Sequence, residues 1–248
     1  MKTEDMAINI FDENGGLKDK ETVLKETAKV YDDLAEEQKS IESEFSSSDL
    51  FTTPELQVDI SKTFETHDFY CRNIYITDEI TDELCLAACK TIDFYEDIDN
   101  KDGVPVEERK PINIIINSPG GGITAAYMLI DKMKNSLTPV NTITIGEAES
   151  AACLIAISGT KRFANKHSAF LIHQGQASIN NEAGKVVDWL KYYDSIILKQ
   201  MKEHILEDTK ISKVDYDNKV REDWYLTANE ALKYGLIDEI IGGWEIWM

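Results

Sequence analysis

The chain predicts an α/β fold with largely parallel strand pairing, and three observations carry that prediction. From about residue 65 short apolar runs alternate with stretches of helical periodicity. The run Ile112 to Asn117 reads as a buried strand, is broken by Ser118-Pro119-Gly120-Gly121-Gly122, and leads into a helical segment over Thr124 to Lys134. Val140 to Ile145 is again strand-like and gives way, past Ser150, to the apolar helical run Ala151 to Ser158. Strand–turn–helix units repeated in this way build a sheet with parallel neighbours.

The other elements follow in order. Tyr70 to Ile76 is expected as a strand, and Thr81 to Phe94 as a helix with Asp82 and Glu83 suited to its first turn. Glu96 to Lys110 is polar, carries Gly103 and Pro105, and reads as a loop. Arg162 to Ala164 and Ala169 to Ile172 read as short strands, Glu182 to Leu206 as a long amphipathic helix, and Ala228 to Tyr234 as a short one. Gly235 and a strand around Ile237 to Ile241 close the domain.

Residues 1–60 differ from this pattern and are read as an acidic extension and linker, with residues 61–248 as the folded domain. The first 50 residues hold 14 acidic and 6 basic side chains, so they supply −8 of the net charge of −20. Val23, Thr27, Val30, Leu34, Ile41 and Phe45 recur at helical spacing and predict one long helix over Asp19 to Phe45. A solvated arm, a prosegment, a pore-lining element and a partner-docking helix all fit that composition. Ser46-Ser47-Ser48 and Thr52-Thr53-Pro54 read as linker.

Composition limits the function classes. At 248 residues, 42% of them hydrophobic, the chain is long enough to bury a full core. A net charge of −20 argues against nucleic acid and against anionic membrane surfaces as partners. The start, Met1-Lys2-Thr3-Glu4-Asp5, lacks the apolar core of a secretory signal. The longest apolar stretch, Ala151 to Ile157, is too short to span a bilayer, and a reducing cytoplasm is the expected setting. Cys71, Cys85, Cys89 and Cys153 form neither a C-x-x-C pair nor a zinc spacing with histidine. Buried thiols are expected, with no metal and no cofactor.

Chemistry is concentrated in four places. Ser150 stands between a strand and an apolar helix, in Gly146-Glu147-Ala148-Glu149-Ser150-Ala151-Ala152. A first helical turn offers unpaired N–H groups and a dipole that favours negative charge, as a nucleophile beside an oxyanion hole requires. The same serine would also serve as a plain helix cap. The Gly120–Gly122 run has no G-K-[ST] ending, so it is not a phosphate loop. It suits an edge where a peptide or thioester docks through Gly120, Gly122 and Ile123, with one N–H aimed at a developing oxyanion. His173 ends the apolar run Ala169 to Ile172, and Asp223 lies in Arg221-Glu222-Asp223-Trp224. Taken singly, neither exceeds a structural histidine or a turn carboxylate.

Together the segments resemble one family. In order they are Ser-Pro-Gly-Gly, Gly146-x-Ala148-x-Ser150, Gly159-Thr160-Lys161-Arg162, Ile172-His173-Gln174, and Gly175-Gln176-Ala177-Ser178. The long helix follows, then Asp223-x-x-Leu226-Thr227-Ala228-x-Glu230-Ala231 and Tyr234-Gly235-Leu236-Ile237-Asp238. The chain resembles the ClpP-type serine peptidases, a branch of the crotonase-like fold, over about residues 70–241. The resemblance implies a repeated β-β-α superhelical core with a long handle helix over Glu182 to Leu206. It implies Ser150 as nucleophile, His173 as general base and acid, Asp223 as the orienting carboxylate, and an oxyanion hole from the Gly121 and Ala151 amides. It also implies peptide or unfolded-protein substrates, a homo-oligomeric ring of seven, stacked rings in many members, and a ring ATPase unfoldase as partner.

Departures from the family pattern are visible. His173-Gln174 runs directly into Gly175-Gln176-Ala177, so the strand that commonly intervenes is short. Arg221-Glu222 reverses the usual acid–arginine order before the triad aspartate. These departures and the acidic extension fit a phage-encoded or otherwise specialised member, one that matures capsid proteins. The competing expectations are an acyl-CoA enzyme on the same fold and a non-catalytic ring or scaffold component.

Overall fold

The protein is described from a computed structural model covering residues 67–175 and 182–242, together with Thr22, Lys25 and Lys29. Those three isolated positions are helical. The rest of the Asp19 to Phe45 helix, the serine linker and the segment after Gly175 lie outside the described residues. The chain divides into two compact units, Met1–Cys71 and Arg72–Met248. In the first, residues 67–71 are helical, where a strand from Tyr70 was expected. His67 Nε2 lies 3.5 Å from Cys71 Sγ, the i,i+4 contact a helix favours.

The second unit is built on a seven-stranded sheet. Strands β1 (Asn73–Ile76), β2 (Ile112–Ser118), β3 (Val140–Glu149), β4 (Arg162–Asn165) and β7 (Glu239–Ile241) run side by side and parallel. Helices α1 (Asp82–Lys101), α2 (Ile123–Asn135) and α3 (Ala151–Ile157) fill the connections. Ile112, Ile114, Ile115 and Ile116 of β2 are all buried, as a central strand covered on both faces requires. On one face α1 packs on α2, α2 on α3, and α3 on β3. On the other, Ile115 clusters with Ile143 and Ile241.

The length of β3 places the site. Its first half, Thr142–Thr144, pairs with β4, while its second half, Glu147–Glu149, pairs with β5 (Ala169–Ile172). The sheet therefore divides along one strand. Strand β6 (Trp224–Thr227) adds antiparallel to β5, in register from Ala169↔Thr227 to Ile172↔Trp224. The strand expected to stop at Ile145 continues to Glu149, because Gly146 leaves room for the Asn117 side chain and Asn117 Oδ1 accepts the Glu147 N–H at 3.1 Å.

Helix α1 also exceeds its expected bounds. It continues to Lys101, and the supposed loop shrinks to a turn at Gly103 and a short 3-10 segment at Val106–Glu108. The charged residues that suggested a loop are held by tertiary partners instead. Glu96 accepts from Lys132 Nζ at 2.8 Å, Ser136 Oγ at 2.9 Å and the Leu137 N–H at 2.6 Å. Thr81 caps the helix start by accepting the Leu84 N–H at 3.2 Å.

The long helix over residues 183–208 comes in three parts: α4 (Ala183–Tyr192), a π-helical turn (Tyr193–Ile197) and α5 (Leu198–Asp208). Helix α6 (Lys213–Lys219) and strand β6 were not anticipated, and α7 (Ala228–Tyr234) has its expected bounds. Thr227 and Glu230 form a reciprocal capping box at its start, and Gly235, at φ +73°, ends it.

Candidate active site

Ser150 is the turn between β3 and α3. Its backbone lies at φ +54°, ψ −120°, a region that costs a non-glycine residue energy and that recurs at functional turns. Two hydrogen bonds hold it there. The Ser150 N–H donates to Leu171 O at 2.9 Å, and the Cys153 N–H donates to Ser150 O at 3.0 Å. Every residue of α3 is buried, so the turn is anchored in the core at the C-terminal end of β3. The hydroxyl makes no cap bond to the helix. It lies 2.7 Å from His173 Nε2 instead.

His173 is placed by strand register. The last pair of the β5–β6 ladder is Ile172↔Trp224. One antiparallel step further sets His173 opposite Asp223, and Nδ1 lies 3.3 Å from Asp223 Oδ1. His173 is 20% exposed and Asp223 60%. The structure thus brings together three side chains that are 23 and 50 positions apart in the chain. An imidazole protonated on Nδ1 donates toward Asp223 and leaves Nε2 to accept the Ser150 hydroxyl proton.

The glycine run lies against Ser150. A β-carbon on Gly120, at φ +94°, would fall 2.6 Å from Glu149 O and 2.8 Å from Ser150 Cβ. Gly121, at φ +148°, bridges Ile80, and its missing β-carbon would meet Ile80 O at 2.5 Å. The Ile80 N–H donates to Gly120 O and the Gly122 N–H donates to Ile80 O, each at 2.8 Å. Those two groups of the expected docking edge are therefore already committed. Among the described residues no acceptor engages the N–H groups of Gly121, Ile123 or Ala151. Ser118 sets the loop: its hydroxyl donates to Asp78 O at 2.6 Å and accepts the Gly120 N–H at 3.2 Å.

Sequence reading missed Ile80 and Ser118 as shapers of this loop, and Glu149 as a neighbour of the imidazole. Period-two alternation along β3 was the available signal for Glu149, since it sets Glu147 and Glu149 on one face. Burial raises the Glu149 carboxyl above its ordinary range, with Glu147 adding to the effect, His173 opposing it and Asp223 adding again. The buried thiols of Cys85 and Cys153 are not rivals to Ser150. Burial, with Cys89 and Asp82 nearby, raises Cys85 to about 11, and burial raises Cys153 to about 12. Among the described residues no cluster of potential metal ligands occurs, and no helix is long and apolar enough to cross a membrane.

A model of the Clp protease family matches residues 64–243. Among similar curated proteins, the ATP-dependent Clp protease proteolytic subunit 1 of Shouchella clausii (strain KSM-K16) is 33% identical over 175 residues. The alignment covers 68% of this chain and 84% of that protein.

Proposed function

The chain belongs to the Clp protease family, and on that premise we propose that it is a serine endopeptidase working through Ser150, His173 and Asp223. The observation that carries the proposal is the 2.7 Å approach of His173 Nε2 to the Ser150 hydroxyl, with the Gly120–Gly122 loop against it and no acceptor among the described residues on the Gly121 and Ala151 amides. In this reading His173 takes the hydroxyl proton as Ser150 Oγ attacks a peptide carbonyl, and Asp223 supports the imidazolium. The Gly121 and Ala151 N–H groups receive the oxyanion. His173 then protonates the leaving amine, and water releases the acyl chain by the same route in reverse.

Of the expected docking residues Gly120, Gly122 and Ile123, Ile123 keeps an N–H with no acceptor among the described residues and would hold the substrate backbone. Assembly into a ring with the sites facing a chamber and supply of unfolded chains by a ring ATPase extend this reading by kinship, and a role in maturing capsid proteins extends it by analogy from the chain's departures from the family pattern. A fluorophosphonate probe tests its core. Labelling of Ser150 in the wild type, with loss of labelling and of peptide hydrolysis in Ser150→Ala, is the expected result. Hydrolysis unchanged in Ser150→Ala would reject the assignment.

A further inference from the structure

We propose that Tyr193 is a positioning residue for His173: carried on a π-helical turn, its hydroxyl holds the Gln174 carbonyl and with it the imidazole one residue earlier. The inference rests on the peptidase reading above. It begins in the sequence of the long helix, where Trp189, Tyr193, Ile197, Met201 and Ile205 recur at strict intervals of four. An α-helix overshoots one turn by about 40° in four residues, so such a row drifts around the helix. A wider turn takes up the drift, and the five-residue π segment Tyr193–Ile197 lies at the middle of the row. Trp189, Tyr193 and Ile197 stay half-buried and Met201 and Ile205 buried, so all five line the inward side.

The widened turn aims Tyr193 at the strand end. Its hydroxyl donates to Gln174 O at 2.9 Å. Trp189 stacks on its ring, with centroids 5.1 Å apart and planes 19° from parallel, which fixes the ring's direction. Gly175, at φ +79°, turns the chain beneath it, and a β-carbon there would stand 3.2 Å from the hydroxyl. Burial raises the Tyr193 phenol above its ordinary range, which keeps it a donor.

Strand β5 ends at Ile172, so the ladder sets His173 opposite Asp223 but does not extend past it. Ser150 and Asp223 contact the ring, and Tyr193 fixes the backbone that follows it. Loss of one such neutral hydrogen bond loosens the imidazole without removing it, so a partial loss of rate is expected.

The test uses full-length Tyr193→Phe, which keeps the ring and its stack and loses only the hydroxyl. The fluorophosphonate labelling rate of Ser150 and the peptide kcat should fall together by roughly three- to tenfold. KM should hold within about twofold, since substrate contacts are untouched. Trp189→Ala, which keeps the hydroxyl but frees the ring, should give a smaller fall in the same two quantities. Labelling of Tyr193→Phe at the wild-type rate, or a fall no larger than its unfolded fraction, overturns the proposal. If the wild type itself does not label, the nucleophile assignment fails and this inference with it. A labelled wild type beside an unaltered Tyr193→Phe rejects the inference alone.

Discussion

His173 faces Asp223 because Ile172 faces Trp224. The two side chains occupy the next step of an antiparallel ladder that ends one pair earlier, and the 3.3 Å contact follows from that register. The carboxylate is 60% exposed, so it holds little of the fold together. Asp223→Asn should leave the melting temperature almost unchanged and lower kcat by about 10²- to 10⁴-fold, through loss of imidazole orientation. Peptide kinetics beside a thermal melt will check it. A kcat within threefold of wild type would remove Asp223 from the mechanism.

Gly120→Ala is expected to damage site and fold together. The added methyl meets Glu149 O at 2.6 Å and Ser150 Cβ at 2.8 Å, both tied to the strained Ser150 turn. With φ at +94° the substitution is also unfavourable in itself, and the combined cost should be about 1–3 kcal/mol. Gly103→Ala is the matched control, because it too has positive φ but meets nothing within 4 Å. Denaturant unfolding and Ser150 labelling should both separate the two variants. Equal losses would show that backbone strain alone is at work.

The strand and helix order of residues 112–172 was legible because period and punctuation agree there. The apolar runs are short, the breaks carry glycine, proline or polar residues, and Ala169–Ile172 and Ala228–Tyr234 emerged with their expected bounds. The candidate site was legible only through the order of its motifs, since His173 and Asp223 carry no signal of their own. What failed has a common cause. Glu96 and Asp99 look like loop residues until Lys132, Ser136, Arg72 and Thr138 are brought to them by folding. Strand β6 was hidden because its four residues are paired to β5 and exposed at Tyr225 and Thr227. The π turn is invisible to a reading that assumes one period throughout.

Asp99 provides a test of that hidden layer. Its side chain is 3% exposed, and Arg72 binds it through two contacts, 2.5 Å to Oδ1 and 2.8 Å to Oδ2. Thr138 Oγ1 donates to Oδ2 at 3.2 Å. Burial alone would raise the carboxyl, but Arg72, Thr138 and Arg109 outweigh it and hold the group below its ordinary range. Arg72→Ala leaves this carboxylate buried and without its main partner, at a cost of about 3–5 kcal/mol. Asp99→Asn in the Arg72→Ala background should restore part of the loss. Unfolding free energies that simply add in the double variant would contradict the coupling.

His204 should make stability depend on pH. Only 7% exposed, it sets Nε2 2.9 Å from Ser158 Oγ and 3.0 Å from Asp208 Oδ2. Its Nδ1 is buried without a hydrogen-bond partner among the described residues. Burial lowers its proton affinity below the ordinary histidine value; Asp208 opposes this, Lys134 adds to it, and Glu207 opposes it. The folded state therefore binds this proton less readily than the unfolded chain, whose histidines titrate near about 6.5. The stability this group supports is complete above that pH and is lost as pH falls through and below it. His204→Gln should flatten the decline in unfolding free energy between pH 7.5 and 5.5, by up to about 1.4 kcal/mol per pH unit. Its stability at pH 7.5 should be lower than wild type, because the bonds to Ser158 and Asp208 are lost. Parallel pH curves for the two proteins would show that the charge state of His204 does not govern the acid limb.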